Sequence, residues 1–277
     1  MDLRLQRRLH PHQRRLHDVS GQRPLVIKLG GSTLGAADTT FHDIAALDRA
    51  GERPIVVHGG GAEASRWLDA MGIESRFIDG LRATDERALP VIVAVFAGLV
   101  NKRIVSALNA AGARAAGLSG ADGRTLECEQ RRPELGFVGT PVAAHPEAVL
   151  ALRDADFVPV VSPVGYVPGE DGDQLVNVNA DEAAGWIASA VDARELVFLT
   201  DVEGVRGEDG AVIPELDAAA VGALRESGVI AGGMIPKTDA CLLAADLGVP
   251  SHIIDGRVTG ALLAREGRGT VFPPART

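Results

Sequence analysis

The stretch Pro24-Leu-Val-Ile-Lys28-Leu-Gly30-Gly31-Ser32 is a short apolar run that ends in two glycines. Its residues show little polar alternation, which is typical of a strand buried on both faces of a parallel sheet. Adjacent glycines let backbone N–H groups point at an anion, and a neighbouring lysine adds a mobile positive charge. We therefore expect a strand that leads into a phosphate site. A strand-to-helix turn with a surface lysine is the alternative interpretation.

Apolar runs and helical stretches alternate along the rest of the chain. The pattern predicts strands at 24–29, 54–58, 114–118, 157–162, 195–200 and 251–255. It predicts helices at 40–50, 62–71, 84–111, 146–154, 180–190, 216–226 and 237–247. Such alternation is typical of an α/β fold in which helices cover both faces of a central, mainly parallel sheet, forming a three-layer sandwich.

Composition and charge narrow the function classes. The 277 residues, 46% of them hydrophobic, suffice for one large core or two coupled smaller ones. The net charge is −9, although residues 1–22 carry five Arg against two Asp. Because the rest of the chain is acidic and has no basic stripe, we expect no nucleic-acid partner. Residues 1–22 lack the apolar segment of a secretory signal and are interpreted as a basic amino-terminal extension.

Two further features bear on localisation. The longest apolar run, residues 88–100, contains Pro90 and Gly98 and is shorter than the roughly 20 residues that a membrane-spanning helix needs, so we expect no membrane partner. Only two cysteines occur, Cys128 and Cys241, which favours a reducing compartment over a disulfide framework. The expected location is cytoplasmic.

Lysine is unusually rare in this chain. Of the 28 basic residues only Lys28, Lys102 and Lys237 are lysines, and the others are arginines. The two side chains are not interchangeable where a compact ammonium must lie beside a phosphate. The bias therefore points to a function for at least one lysine, with genomic base composition as the alternative. Lys102 lies inside a long predicted helix, where a structural or subunit contact is favoured.

A second strand, Ile55-Val-Val-His58, also leads into glycines, Gly59-Gly60-Gly61, and indicates a second anion-binding helix entrance. An esterase would need a G-x-S-x-G elbow, which is absent, and no Walker A loop or G-x-G-x-x-G fingerprint occurs. These absences argue against a hydrolase and against a nicotinamide oxidoreductase. For His58 itself, a hydrogen-bonded histidine at a strand end is favoured over a catalytic role.

Three further strings carry polar or charged groups that suit a binding site. Arg82, in Gly80-Leu-Arg82-Ala-Thr84, is either a solvated charge or a partner for a substrate carboxylate. Asn177, Asn179 and Asp181 alternate, so they share one face if the segment is extended, and the carboxylate could then hold ammonium groups. Lys237, in Gly232-Gly-Met-Ile-Pro-Lys237, is predicted at a positively polarised helix start.

In this order, the strings resemble the amino acid kinase family. The matching strings run from Lys28-Leu-Gly-Gly31 and His58-Gly-Gly-Gly61 to Gly267-Arg-Gly-Thr270 and cover residues 23–273. Any one string is weak evidence, whereas the ordered set is specific. The likeness is greatest to members that transfer the γ-phosphoryl of ATP to the γ-carboxylate of N-acetyl-L-glutamate in arginine biosynthesis. An enzyme of this kind is a phosphotransferase with a carboxyl group as acceptor.

The resemblance implies a role for each matched residue. Lys28 and Lys237 would stabilise the transition state, and Asp181 would orient their ammonium groups. Backbone donors would come from Gly30, Gly31, Gly60 and Gly61, and the acceptor would bind to Gly60, Gly61, Arg82 and Asn177. The nucleotide-binding residues would be Asp201, Gly204, Arg206, Val229, Ile230 and Ala231. Mg2+ would be held mainly by the nucleotide phosphates, with no protein metal site.

The resemblance also implies an acetylglutamate-binding lobe at 23–193 and an ATP-binding lobe at 194–277. Arginine-inhibited members carry a His where this chain has Gly260, and the stretch from 263 to 267 is too short for their usual insertion. We therefore expect a homodimer that is insensitive to arginine. Whether a PII-type regulator docks is left open.

Two alternatives remain. Gly117-Leu-Ser-Gly-Ala-Asp-Gly-Arg124 and the short tail also suit kinases that act on carrier-protein-linked α-aminoadipate or glutamate. The strings around Arg82 and Lys237 favour free acetylglutamate. A non-catalytic nucleotide-binding sensor would retain the glycine loops, but the presence of both lysines and Asp181 favours a kinase.

Overall fold

The computed structural model describes residues 23–30 and 39–275. The predicted extension 1–22 and Gly31 of the first glycine pair lie outside the described residues. The strands, in chain order, are β1 (Leu25–Leu29), β2 (Ile55–His58), β3 (Phe77–Ile78), β4 (Leu81–Arg82), β5 (Ala115–Ser119), β6 (Leu126–Gln130), β7 (Val138–Ala144), β8 (Val158–Ser162), β9 (Val164–Val167), β10 (Gln174–Val178), β11 (Glu195–Thr200), β12 (Ser251–Asp255) and β13 (Thr270–Phe272).

Seven of these strands form the central sheet, in the order β13-β12-β11-β1-β2-β8-β5. All neighbours pair in parallel except the edge strand β13, which runs antiparallel to β12. Every residue of β1, β2 and β8 is buried, because both faces of the sheet are covered. The six predicted strands and the mainly parallel sheet are confirmed, and β13 was not predicted.

Four short strands form a second, closed group in the order β10-β7-β6-β9. It mixes parallel and antiparallel pairs and was not predicted. Strands β3 and β4 form a hairpin whose turn contains Asp79 and Gly80, both at positive φ.

The helices agree closely with the predicted ones. They are α1 (Thr39–Arg49), α2 (Gly61–Ala70), α3 (Ala88–Val93), a π-helical segment (Ala94–Val100), α4 (Asn101–Ala110), α5 (Glu147–Asp154), α6 (Ala180–Ala190), α7 (Ala218–Glu226) and α8 (Met234–Asp246). The predicted start of α8 at Lys237 was wrong by three residues. Pro236 lies in the first turn, where a missing N–H costs no intrahelical hydrogen bond.

The helical stretch Ala88–Ala110 is continuous for 23 residues and is, by length and composition alone, apolar enough to cross a membrane. It lies within the predicted helix 84–111, and its apolar run ends at Val100, before Asn101, Lys102 and Arg103. A core helix of a globular protein meets the same criterion. Here the side chains of Val91, Val95 and Ile104 are buried in the core.

The core consists of two clusters, one on each face of the central sheet. Val26 packs with α6 and α8, whereas its neighbours Leu25 and Ile27 pack with α1, α3 and α4. Both clusters contain residues of β1 and of β11, so the sheet is continuous across the predicted lobe boundary at 193/194. The two lobes remain a prediction about ligand binding.

Candidate active site

The two glycine loops meet at the carboxyl ends of β1, β2 and β11. The Gly30 N–H donates to the Leu199 carbonyl over 3.0 Å, and the Gly59 N–H donates to the Leu29 carbonyl over 3.2 Å. A Cβ on Gly59 would lie 3.9 Å from the Cβ of Ala180, at the start of α6. The loops and the amino terminus of α6 therefore lie together at the edge where parallel α/β sheets bind ligands.

A buried ion pair lies at this junction. The Lys28 Nζ, on β1, is 2.5 Å from the Asp181 Oδ1, in the first turn of α6, and the two side chains are only 11% and 17% exposed. That oxygen is buried and has no hydrogen bond of good geometry among the described residues. A buried carboxylate of this kind can accept a second donor. Removing either partner would leave a buried charge without compensation.

The position of Asp181 is set by the helix cap. The Asn179 side chain accepts hydrogen bonds from the Asp181 N–H over 2.8 Å and from the Glu182 N–H over 3.3 Å. A carboxylate in the first turn is further favoured by the helix dipole. The strand ends at Val178 and α6 begins at Ala180, as predicted, so the condition of an extended segment is not met and Asn177, Asn179 and Asp181 do not share a strand face.

Arg82, at the end of the β3–β4 hairpin, is 7% exposed. Its Nη2 donates to the Gly61 carbonyl over 2.9 Å and to the Ser65 Oγ over 2.8 Å, and its Nη1 donates to the Ser75 Oγ over 2.8 Å. Burial lowers the pKa of the guanidinium, although an arginine stays charged at neutral pH. No ion pair of Arg82 occurs in the part of the chain that the structure describes, so the site offers a buried cation to a carboxylate.

Asn177 lies at the end of β10 and is also nearly buried. Its Nδ2 donates to the Thr84 Oγ1 over 3.1 Å, and the hydroxyl of Thr84 donates to the Arg82 carbonyl over 3.0 Å. The structure thus links Arg82 and Asn177, the two side chains predicted to bind the phosphoryl acceptor, through Thr84. Thr84 was not predicted as functional, because a threonine in a loop string carries no signal of its own.

Lys237 is half-buried in the first turn of α8. Cys241, one turn further along the same helix, is fully buried; burial raises the pKa of its thiol, with smaller effects from the charges of Asp181 and Lys28. The middle of α8, at Cys241, therefore lies near the ion pair. Within residues 39–275 no ion pair of Lys237 is seen, and its joint action with Lys28 stays a prediction.

The predicted nucleotide residues form two loops beyond the sheet. Gly204 has a φ of +154°, and a Cβ there would lie 2.7 Å from Val212 and 2.8 Å from the Thr270 hydroxyl. That hydroxyl accepts from the Val205 N–H and donates to the Ile213 carbonyl, so β13 holds this loop in place. Asp201 directly follows β11.

The remaining predicted nucleotide residues differ in burial. Arg206 is exposed and pairs with Glu203 over 2.6 Å. The segment Val229, Ile230 and Ala231 connects α7 to α8, and Ile230 is buried there.

His58 is fully buried and neutral. Its Nδ1–H donates to the Gly59 carbonyl over 2.7 Å, and its Nε2 accepts from the Asn101 Nδ2 over 3.1 Å. Burial lowers the pKa of His58 to about 4. This geometry agrees with a hydrogen-bonded strand-end histidine.

The same polar network includes Lys102. The Asn101 amide also donates to the Val160 carbonyl, and the Lys102 Nζ donates to the Asn101 Oδ1 over 2.9 Å. Because these contacts join α4 to the central sheet, they support the structural role favoured for Lys102.

The described residues contain no group of three or more His, Cys, Asp or Glu side chains arranged to hold a metal ion.

Several known proteins are similar to this chain over most of its length. An acetylglutamate kinase of Dehalococcoides mccartyi is 44% identical over 242 residues, covering 86% of this chain and 89% of that protein. An acetylglutamate kinase of Rhodospirillum rubrum is 40% identical over 287 residues, covering 96% and 90%. The crystal structure of smu.665 from Streptococcus mutans UA159 has a TM-score of 0.79 and 25% identity, covering 90% of this chain and 98% of that one.

The family model described as "Amino acid kinase family" matches residues 23–255, which include both glycine loops, the Lys28–Asp181 pair, Arg82, Asn177 and Lys237. The chain therefore belongs to the amino acid kinase family.

Proposed function

We propose that this chain transfers the γ-phosphoryl group of ATP to the γ-carboxylate of N-acetyl-L-glutamate, giving N-acetyl-L-glutamyl 5-phosphate and ADP in arginine biosynthesis. The curated relatives that cover most of the chain are acetylglutamate kinases. The observation that carries the proposal is the buried Lys28–Asp181 pair where the two glycine loops meet, with the buried Arg82 beside the second loop.

The chemistry needs alignment and charge neutralisation. A γ-carboxylate is already a nucleophile, so no general base is required. One of its oxygens attacks the γ-phosphorus, the bond to the bridging oxygen of ADP breaks, and negative charge spreads over the transferring group. Lys28 and Lys237 would neutralise that charge, and the N–H groups of Gly31, Gly60 and Gly61 would bind the phosphoryl and acceptor oxygens. The Gly30 N–H is already donated to the Leu199 carbonyl. Asp181, which pairs with Lys28, would orient its ammonium group.

Arg82 and Asn177 are proposed to bind the acceptor. The guanidinium of Arg82 already contacts the Gly61 carbonyl, so a carboxylate paired with Arg82 would lie next to the second glycine loop. Holding the acceptor there converts a bimolecular encounter into an aligned, nearly unimolecular step.

The cofactors would be ATP and Mg2+. The nucleotide would lie against Asp201, Gly204, Arg206 and the segment 229–231. Mg2+ would be held mainly by phosphate oxygens, where it neutralises charge.

A cytoplasmic location is proposed as well. It is supported by Cys128 and Cys241, which are both buried and unpaired.

The test is a hydroxamate assay. The purified chain receives MgATP, hydroxylamine and one acceptor at a time: N-acetyl-L-glutamate, N-acetyl-L-α-aminoadipate, or carrier-protein-linked glutamate or aminoadipate. We expect acylphosphate, trapped as hydroxamate, with acetylglutamate at the highest kcat/KM. The Asp181→Asn variant is the control, because it keeps the shape of the side chain while removing the charge that pairs with Lys28. It should form much less hydroxamate than the wild type.

Two results would contradict the proposal. A higher kcat/KM with a carrier-linked acceptor would favour a carrier-dependent kinase. Nucleotide binding without hydroxamate from any acceptor would favour a sensor.

A further inference from the structure

Thr84 is a fully buried polar residue that the catalytic steps above do not use. Its N–H donates to the Leu135 carbonyl over 2.9 Å, and its carbonyl accepts from the Phe137 N–H over 2.7 Å. Its hydroxyl donates to the Arg82 carbonyl and accepts from the Asn177 Nδ2. All of its polar groups are therefore engaged, and they join the hairpin, β10 and the loop before β7.

The direction of these hydrogen bonds matters for Asn177. A hydroxyl has a single proton, and that of Thr84 is committed to the Arg82 carbonyl. Toward Asn177 the hydroxyl can therefore only accept, so the amide must turn its NH2 group to Thr84. Without this contact the buried NH2 group of Asn177 loses its acceptor, and the orientation of the amide loses the hydrogen bond that favours it.

The surrounding backbone fixes Thr84 in turn. The Asn177 N–H donates to the Phe137 carbonyl over 2.9 Å, so the same loop holds both residues. Gly136 approaches so closely, at a φ of +66°, that a Cβ there would lie 2.4 Å from the Thr84 carbonyl oxygen. The position of Thr84 is thus determined from several sides, as expected of a group that orients a neighbour.

We propose that Thr84 is a positioning residue for the acceptor site: its hydroxyl sets the orientation of the Asn177 amide and thereby the affinity for the acceptor. The inference rests on the proposed function, since it takes Asn177 as an acceptor-binding residue. Thr84 lies on the acceptor side of the site and has no described contact with the nucleotide segments. Its loss therefore acts on acceptor binding rather than on ATP binding.

The test compares Thr84→Val, which replaces the hydroxyl by a methyl group, with Thr84→Ser, which keeps it. We expect Thr84→Val to raise the KM for acetylglutamate about ten-fold, because the loss of one buried hydrogen bond weakens binding by about that factor. The KM for ATP should stay unchanged and kcat should remain within about three-fold. Thr84→Ser should restore the KM for acetylglutamate to nearly that of the wild type. Thr125→Val is the matched control, because Thr125 is also buried and its hydroxyl donates to the Asp122 carbonyl.

A double-mutant cycle shows whether Thr84 acts through Asn177. In an Asn177→Ala background, Thr84→Val should change the KM for acetylglutamate less than two-fold. An undiminished effect in that background, or an unchanged KM in the single variant, would overturn the inference. If Thr84→Val does not fold, Thr84→Ala replaces it in the same cycle.

Failure of the proposed function is recognised separately, because it shows as a lack of acetylglutamate phosphorylation by the wild type.

Discussion

At the scale of single residues, the three lysines differ in their surroundings. Lys28 is buried in an ion pair, Lys237 lies half-buried in a first helical turn, and Lys102 contacts a buried amide from the surface.

Replacing Lys237 by Ala removes one charge from the proposed transfer site and leaves the core intact. We expect kcat to fall on the order of 10²–10³-fold, as for other preorganised donors. The measurement is turnover together with circular dichroism, and an unchanged kcat would remove Lys237 from the site.

Lys28→Arg tests shape rather than charge. A guanidinium is larger and planar, so it cannot occupy the space of the ammonium beside Asp181. We expect most activity to be lost. Turnover near that of the wild type would mean that the scarcity of lysine reflects base composition.

His58 makes stability depend on pH. Its pKa is about 4 in the folded chain and about 6.5 when unfolded, so between these values only the unfolded chain binds the proton. The part of the free energy of unfolding that depends on a neutral His58 is thus fully present above about pH 6.5 and is lost as the pH falls toward 4. From pH 7.5 to 5.0 the wild type should lose about 2 kcal/mol more of its free energy of unfolding than His58→Asn. Urea titrations of both proteins measure this difference.

The wild type and His58→Asn are compared at several pH values between 7.5 and 5.0. If His58→Asn and the wild type lose stability in parallel, the buried histidine is not the cause.

At the scale of elements, helix α6 places Asp181 through its cap. Asn179→Ala removes the acceptor of two first-turn N–H groups and should cost about 1 kcal/mol of stability. Because the same cap positions the carboxylate that holds Lys28, we also expect kcat to fall roughly ten-fold. Urea unfolding and turnover are measured on the same preparation.

Asp217→Ala is the matched variant, since Asp217 caps α7 by accepting from the Ala220 N–H over 2.8 Å. It should lose similar stability and keep its kcat. Equal losses of kcat in both variants would mean that activity follows stability alone.

The elements also show what the sequence could predict. The strands of the central sheet are buried on both faces and appear as unbroken apolar runs, so six were found. The closed group was missed because its strands approach too closely for ordinary side chains. A Cβ on Gly139 or Gly165 would lie 2.9 or 2.7 Å from atoms of Cys128. The glycines that closure requires weaken the strand pattern.

The site was predictable to a similar extent. Strand-then-glycine strings indicated both loops, and the lysines stood out by their rarity. The Lys28–Asp181 contact and the role of Thr84 depend on chain segments far apart in sequence. Spacing alone cannot show that these residues meet.

At the scale of the whole molecule, we propose a homodimer. The surface of the long helix 88–110 exposes the small residues Pro90, Ala94 and Gly98. The adjacent α2 exposes Trp67, and Met71, which directly follows α2, is also exposed. Sedimentation equilibrium should give twice the chain mass, and millimolar arginine should not inhibit turnover. A hexamer, or inhibition by arginine, would contradict this prediction.

The order of strands in the central sheet has a consequence for synthesis. Strand β1 lies between β2 and β11, and Leu25 pairs with Glu195, about 170 residues later. At ribosomal rates of about 5–20 residues per second, one edge of this apolar strand stays open for roughly 10–30 s. The loop 201–206, which is proposed to bind the nucleotide, is completed later still, because the Thr270 hydroxyl accepts from the Val205 N–H. A nascent chain therefore carries a hydrophobic edge that chaperones can shield, and the loop that contains Val205 cannot be completed until Thr270 has been made.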